Sequence, residues 1–385
     1  MTSPPLPVRL LVALCVLDHV ALCGARLALV EQALHLGLHS LAVGLLFAPF
    51  AIASALGALP LGRWVDRVGA RLPALAGMAL MAVALLAAAG WPVPAVLAIA
   101  AAATGLGYTA SLIALQAEIA RDRAEPERRA GFAAFATGTA ASSGFGPFLA
   151  GQLMSHGGAS LAFGVLASLC ASALAVAAAQ STRLLAVRDG PVARAPAAGA
   201  SSLRGLGGLR RLMLADLGMA LAWNANGFVL PVVTHRLGWP ADVAGNLLGC
   251  FGAAVLLVRA LPHAWRAWGD DWGAVTRALL ASGAVLLLLP LLPSMPAHYL
   301  LQAVLGCGLG SSLPSVLALV EARTPHGRRA EVLGLRQAVL GFGAATTPTA
   351  VGALVTTAGL APALAVVGGA LLALGALIAP RSLSR

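Results

Sequence analysis

The sequence predicts an all-α integral membrane protein in which twelve membrane-spanning helices form two pseudo-symmetric six-helix bundles. Three observations carry this prediction. The 385-residue chain is 59% hydrophobic and 10% charged, with a mean hydropathy of +0.88. Its apolar runs recur at about 20 residues, the length that crosses a bilayer as a helix, and lack the alternation of a membrane barrel. Stretches of the first half also return in the second at a near-constant offset.

Reading the apolar runs against their Gly, Pro and charged breakers places spans at 8–33, 41–61, 71–91, 94–119, 131–154, 159–180, 211–235, 243–263, 273–293, 297–321, 330–356 and 360–379. The first run carries Arg9, Asp18 and Arg26 and shows no small-residue cleavage site, so it reads as a span and not as a signal peptide. The segment from Ser181, "STRLLAVRDGPVARAPAAGASSLRGLGGLRR", is rich in Ala, Gly, Ser, Pro and Arg and reads as a linker. The expected domains are therefore a bundle over 1–180, a cytoplasmic linker over 181–210 and a bundle over 211–385.

All 25 basic residues are arginine, and the net charge of +11 falls in bursts between apolar runs and not in one patch, which argues against nucleic acid as a partner. The bursts (Arg63/Arg67/Arg71, Arg121/Arg123/Arg128/Arg129, Arg183 to Arg211, Arg259/Arg266/Arg277, Arg323/Arg328/Arg329 and Arg381/Arg385) fall on one side of the twelve-span topology. Loops on the other side, such as "LGLHS" and "LPSMPAH", carry almost none. The positive-inside rule then puts both termini in the cytoplasm and the chain in the inner (cytoplasmic) membrane. The five cysteines lie within spans and read as small apolar side chains, not as a disulfide framework.

"LGLHSLAVGLLFAPF" from Leu36 aligns with "LGWPADVAGNLLGCF" from Leu237 at an offset of 201, pairing Gly37 with Gly238, Gly44 with Gly245 and Phe50 with Phe251. Trp64 and Trp265 keep the offset, and Gly146, Pro147 and Gly151 align with Thr347, Pro348 and Gly352. "TGLGYTAS" at Thr104 matches "CGLGSSLP" at Cys307, and "RRA" occurs at Arg128 and Arg328. A duplicated six-helix unit is how secondary transporters build a site between two halves and rock the halves about it.

Between spans two and three, "GRWVDRVGAR" resembles the loop signature of the major facilitator superfamily, G-x-x-x-D-R-x-G-x-[RK], at Gly62, Asp66, Arg67, Gly69 and Arg71. Residue types, spacing and topological position agree, and the resemblance extends over the whole chain. It implies a cytoplasmic gate in which Asp66 meets the start of span eleven, near Arg329 to Glu331, and latches the outward-open state. The equivalent loop of the second half, "HAWRAWGDDWGAVTR", has lost the pattern. In span five "SSGFGPFLAGQ" partly resembles the antiporter signature of this superfamily: Gly146, Pro147 and Gly151 match, whereas Ala150 replaces a glycine and Ser142 stands at an upstream glycine position. Gly-Pro followed by small residues bends a helix and admits a close neighbour.

Charged groups within a span cost at least about 2.5 kcal/mol and face a cavity or a partner. Asp18, His19 and Arg26 share a broad face of span one at 100° per residue, and the resemblance places spans one, four, seven and ten around the substrate. Asp18 is the proton-carrier candidate, with a structural ion pair or hydrogen bond to another helix as the alternative, and Arg26 is the candidate for holding an anionic substrate or the ionised Asp18, with snorkelling or a fixed bridge as the alternative. Glu31 projects elsewhere and is expected at solvent. Tyr108, Trp223, Asn224, Asn226, Asn246, Gln302, Ser311, Ser312 and Gln337 supply further donors and acceptors for an amphipathic organic molecule. Cys15, His19 and Cys23 recur every four residues, but three ligands on one helix cannot close a tetrahedral site, so no metal is expected.

No nucleotide-binding loop and no nucleophile–base arrangement occurs, so no cofactor and no enzymatic activity are expected, and energy comes from a gradient. The expected activity is proton-coupled export of small amphipathic or toxic organic compounds by alternating access, with a monomer, protons and the lipid bilayer as the working parts. Uptake of a small organic anion on the same fold is the alternative, and a transport-inactive membrane sensor the third reading.

Overall fold

The computed structural model describes residues 7–120, 124–180, 207–261, 270–324 and 329–379. The described residues form twelve helices: α1 (Val8–His35), α2 (Ser40–Phe47), α3 (Pro49–Val68), α4 (Arg71–Gly90), α5 (Pro94–Ala120), α6 (Glu125–Ala179), α7 (Gly207–Arg236), α8 (Ala241–Ala260), α9 (Asp271–Leu288), α10 (Met295–Arg323), α11 (Arg329–Ala358) and α12 (Leu360–Leu377). Most of the expected linker, with Trp265 and the loop around it, lies outside the described residues. The first helix of the second half is described from Gly207 onward.

Twelve helices are not twelve spans one for one. The second span is α2 and α3 together, interrupted at Ala48 just before Pro49, whose missing N–H suits it to a helix's first turn. The 55 residues of α6 would reach about 80 Å as one rod, far beyond a bilayer. Gly158, at φ 68° and ψ −165°, breaks it into spans five and six. Only glycine adopts that backbone freely, and Gly359, at φ 89°, makes the same turn between α11 and α12 at an offset of 201. With α2 and α3 joined, eleven helical stretches among the described residues are long and apolar enough to cross a membrane, and the two spans within α6 bring the total to twelve.

The offset of 201 also governs contacts. A Cβ on Gly44 would stand 2.4 Å from Pro348 O, and one on Gly245 would stand 2.7 Å from Pro147 O. Gly352 meets Ser40 O at 2.4 Å on the same construction, and Gly151 meets Ala241 O at 2.7 Å. Span two of each half therefore packs on span five of the other through glycine, related by a pseudo-twofold. The register of span four differs from the sequence match: Gly105 meets Phe50 O as Gly306 meets Phe251 O, so Thr104 corresponds to Leu305 and not to Cys307. The repeated "GLG" strings had hidden a two-residue slip.

Among the described residues, the hydrogen bonds between the halves gather at the end away from the arginine bursts. Leu41 N donates to Thr356 Oγ1 (2.9 Å), Thr349 Oγ1 to Gly44 O (3.3 Å), Gln152 Nε2 to Asn246 Oδ1 (3.0 Å), and Asp242 N to Ser155 Oγ (2.8 Å). His35 and His235 meet edge to face at 5.7 Å at the same end. At the other end Arg63, Asp66 and Arg67 are exposed, and among the described residues Asp66 has no ion-pair partner. The side chains of Arg329 to Glu331, expected to receive it, lie outside the described residues.

One buried ion pair ties the second half together. Arg336 Nε on α11 donates to Asp216 Oδ2 on α7 at 2.9 Å, with both side chains largely sealed. The positions 201 residues earlier, Cys15 and Phe135, belong to one apolar cluster in the first half. Asp216→Ala leaves a buried, uncompensated guanidinium and should cost about 3–5 kcal/mol, whereas the double change Asp216→Leu/Arg336→Leu should recover most of it. Unfolding of the two variants in lipid, measured side by side, checks this.

Candidate functional site

A cavity of about 200 Å³ lies between the halves, beneath the closed end. It is lined by α1 (His19, Cys23, Arg26, Leu27), by Phe47, by Ser143 and Pro147 of α6, by α7 (Trp223, Asn224, Asn226, Gly227) and by Leu248 and Phe251 of α8. The helices reach it because small residues let them close in: a Cβ on Gly144 would stand 2.9 Å from Gly252 Cα, and one on Gly146 would stand 2.6 Å from Val20 O.

Arg26 dominates its chemistry. Its Cζ lies 5.5 Å from the Phe47 ring centre and 5.7 Å from that of Phe50, so the guanidinium rests on aromatic rings. The Nε is buried and lacks a hydrogen-bond partner, and among the described residues no carboxylate lies within ion-pair distance. Trp223 and Phe251 meet edge to face at 4.9 Å and give the cavity a flat apolar wall. Opposite, His19 stacks at 5.4 Å on Tyr108 and stands 3.6 Å, through Nε2, from Cys23 Sγ. Cys15 packs in a separate buried cluster, and among the described residues no group of three metal-ligating side chains converges.

Asp18 sits apart from Arg26. It is fully buried, neither carboxyl oxygen has a hydrogen-bond partner, and Ser111 stands beside it with its hydroxyl donated to Tyr108 O at 3.1 Å. A charge held there without a cation carries a desolvation cost of several kcal/mol. Glu31, expected at solvent, is likewise buried at 2% exposure with Oε1 unpartnered, because the far end of α1 is packed on all sides.

The other candidates divide by location. Trp223, Asn224 and Asn226 line the cavity, with Asn224 Nδ2 donating to Ala220 O at 2.8 Å. Asn226 and Gln302 exchange two side-chain hydrogen bonds of 2.9 Å, and Gln302 is fully buried away from the cavity lining. Asn246 belongs to the closed end. Ser312 is buried and bonds to Leu309 O, Gln337 is exposed, and Ser311 lines a different crevice, within the second half. Leu27, Phe47, Ser143, Gly227, Leu248 and Phe251 also line the cavity, and all but Ser143 lack a polar signal in the sequence, although Phe251 is the repeat partner of Phe50.

A solved structure of a peptide transporter, POT, in complex with sulfate is similar with a TM-score of 0.79 and 16% identity, covering 96% of this chain and 93% of that one. The nucleoside transporter NupG gives 0.72 and 17%, covering 97% and 99%. A bacterial homolog of the human lysosomal transporter Spinster, inward-facing and unoccupied, gives 0.72 and 15%, covering 97% and 95%. No curated protein matches the sequence. The model of the Major Facilitator Superfamily matches residues 24–259 and 212–384. With that match over the length of a twelve-span, two-bundle fold, the chain belongs to the Major Facilitator Superfamily, whose fold is that of secondary transporters working by alternating access.

Proposed function

We propose that this protein is a proton-coupled transporter of small organic molecules that carry an acidic group. The observation that supports this is the unpaired guanidinium of Arg26 at the seam between the halves. A cation in an aromatic-walled cavity of about 200 Å³ favours a compact, amphipathic anion over a bulky or cationic compound. By the positive-inside rule the arginine-rich end faces the cytoplasm, so the end tied by hydrogen bonds between the halves is the outer one, and we read the conformation as inward-facing. The exposure of Asp66 fits that reading, since its latch is expected to close the inner mouth only in the opposite state.

Asp18 is the proposed proton carrier: a buried carboxyl without a partner exchanges a proton when the alternating cavity reaches it. Asp18→Asn should retain exchange of substrate across proteoliposomes at equal pH and lose accumulation driven by a pH gradient. Gradient-driven accumulation at the wild-type level would remove Asp18 from the coupling. Export rests on the partial antiporter motif, but Pro147 and Gly151 already pack at the seam and Gly146 against α1, roles that serve either direction. Flux of labelled benzoate and succinate under inside-acid and inside-basic gradients tests both the substrate class and the direction. A chain that binds such a compound yet never moves it would indicate a sensor.

A further inference from the structure

The second half contains a crevice of about 680 Å³, separate from the central cavity, bounded by α8, α9 and α10. The matching place in the first half is more tightly packed. In the first half α4 and α5 touch backbone to backbone: a Cβ on Gly107 would stand 2.6 Å from Gly77 O, and one on Gly77 would stand 2.4 Å from Gly107 O. At the offset of 201 the pair becomes Ala278 and Gly308, and a Cβ on Gly308 would meet nothing nearer than Ala278 Cα at 3.5 Å. At this point α9 and α10 thus lie farther apart than α4 and α5 do, and the crevice runs beside them.

The slot is apolar along most of its length and basic at one end. Along α10 it runs from Ala303 to Ala318, about 22 Å of helix, comparable with the roughly 15 Å hydrocarbon depth of one leaflet. Val304 on its wall is 43% exposed, so the slot opens sideways toward the bilayer. At the arginine-rich end it presents Arg259, Arg277 and a single carboxylate, Asp271. The Arg259 Nε is buried and has no hydrogen-bond partner. A bilayer-facing apolar slot fills with lipid rather than water, since water needs several polar partners. Two arginines against one carboxylate leave a net positive charge at headgroup depth.

We propose that this crevice binds an anionic phospholipid of the leaflet on the arginine-rich side. Arg259 and Arg277 hold the headgroup phosphate, and an acyl chain lies along α10 past Ser311 and Cys307. Because α10 contributes Gln302 to the amide pair with Asn226 at the central cavity, a lipid seated here braces the helix on which that pairing depends.

Cys307 lines the crevice and Cys23 lines the central cavity, so the wild-type chain reports on both. The purified protein is placed in nanodiscs of phosphatidylcholine or phosphatidylglycerol, and alkylation of each cysteine by a membrane-permeant maleimide is followed by peptide mass spectrometry. Phosphatidylglycerol should slow the reaction of Cys307 several-fold and leave Cys23 unchanged. Arg259→Gln/Arg277→Gln should abolish this protection and weaken phosphatidylglycerol binding about 30-fold. Gly308→Leu, which fills the slot, should displace lipid seen by native mass spectrometry without the loss of charge. Equal Cys307 rates in the two lipids, protection of Cys23 as well, or undiminished protection in the double variant would overturn the assignment. The wild-type comparison stands even where a variant does not fold.

Discussion

Arg26→Ala is expected to weaken binding of a carboxylate-bearing substrate on the order of 100-fold, because it removes the one unpaired charge in a partly desolvated cavity. The thermal stability of the protein should change little. The guanidinium is without an ion-pair partner among the described residues and rests on Phe47 and Phe50, so its removal orphans no carboxylate. Arg26→Lys should restore part of the affinity, since an ammonium keeps the charge but not the planar fork that grips a carboxylate at two points. The decisive measurement is a titration of benzoate and succinate against the three proteins by thermal shift or calorimetry. Affinity for the anions that is equal in wild type and Arg26→Ala would place the substrate elsewhere.

Gly245→Leu should lower net transport about tenfold or more by preventing the present closure. The added Cβ alone would stand 2.7 Å from Pro147 O and 2.9 Å from Gly151 Cα, and both are backbone atoms that cannot swing aside. Only separation of α8 from α6 relieves the clash, and that separation breaks the hydrogen bonds of Gln152 with Asn246 and of Ser155 with Asp242. A cysteine introduced as His35→Cys should then react faster with a membrane-impermeant maleimide than it does in the parent. Gly44→Leu, at the pseudo-symmetric contact with Pro348, should behave alike. Unchanged labelling in both variants would show that the close approach is not what seals this end.

How the repeat was visible in the sequence bears on how much else was. Gly37 with Gly238, Gly44 with Gly245 and Pro147 with Pro348 could be matched by eye because glycine and proline are demanded by backbone conditions, and a backbone condition repeats when a fold is duplicated. Where the demand was only for smallness, the match slipped: "GLG" fits itself at two registers, and only the contacts of Gly105 and Gly306 choose between them. The loop signature was legible for a similar reason. Whether Asp66 is latched is a property of a conformational state, and in this state it is exposed.

The sequence by itself determined the membrane class, the spans and the duplication, because these follow from hydropathy, run length and backbone-restricted residues that recur at a fixed offset, and it made the family legible through the resemblance of Gly62 to Arg71 to a known loop signature. It also singled out Asp18 and Arg26, since a charge in an apolar run is visible without coordinates. Only the tertiary structure decided which polar groups meet. Asn226 and Gln302, 76 positions apart, bond to each other, Glu31 is buried, and apolar Phe47 and Phe251 form cavity walls. Hydrogen bonds and burial depend on which helix faces approach across the seam. That approach is set by ångström-scale contacts between glycines and backbone in distant segments, to which a hydropathy pattern is blind.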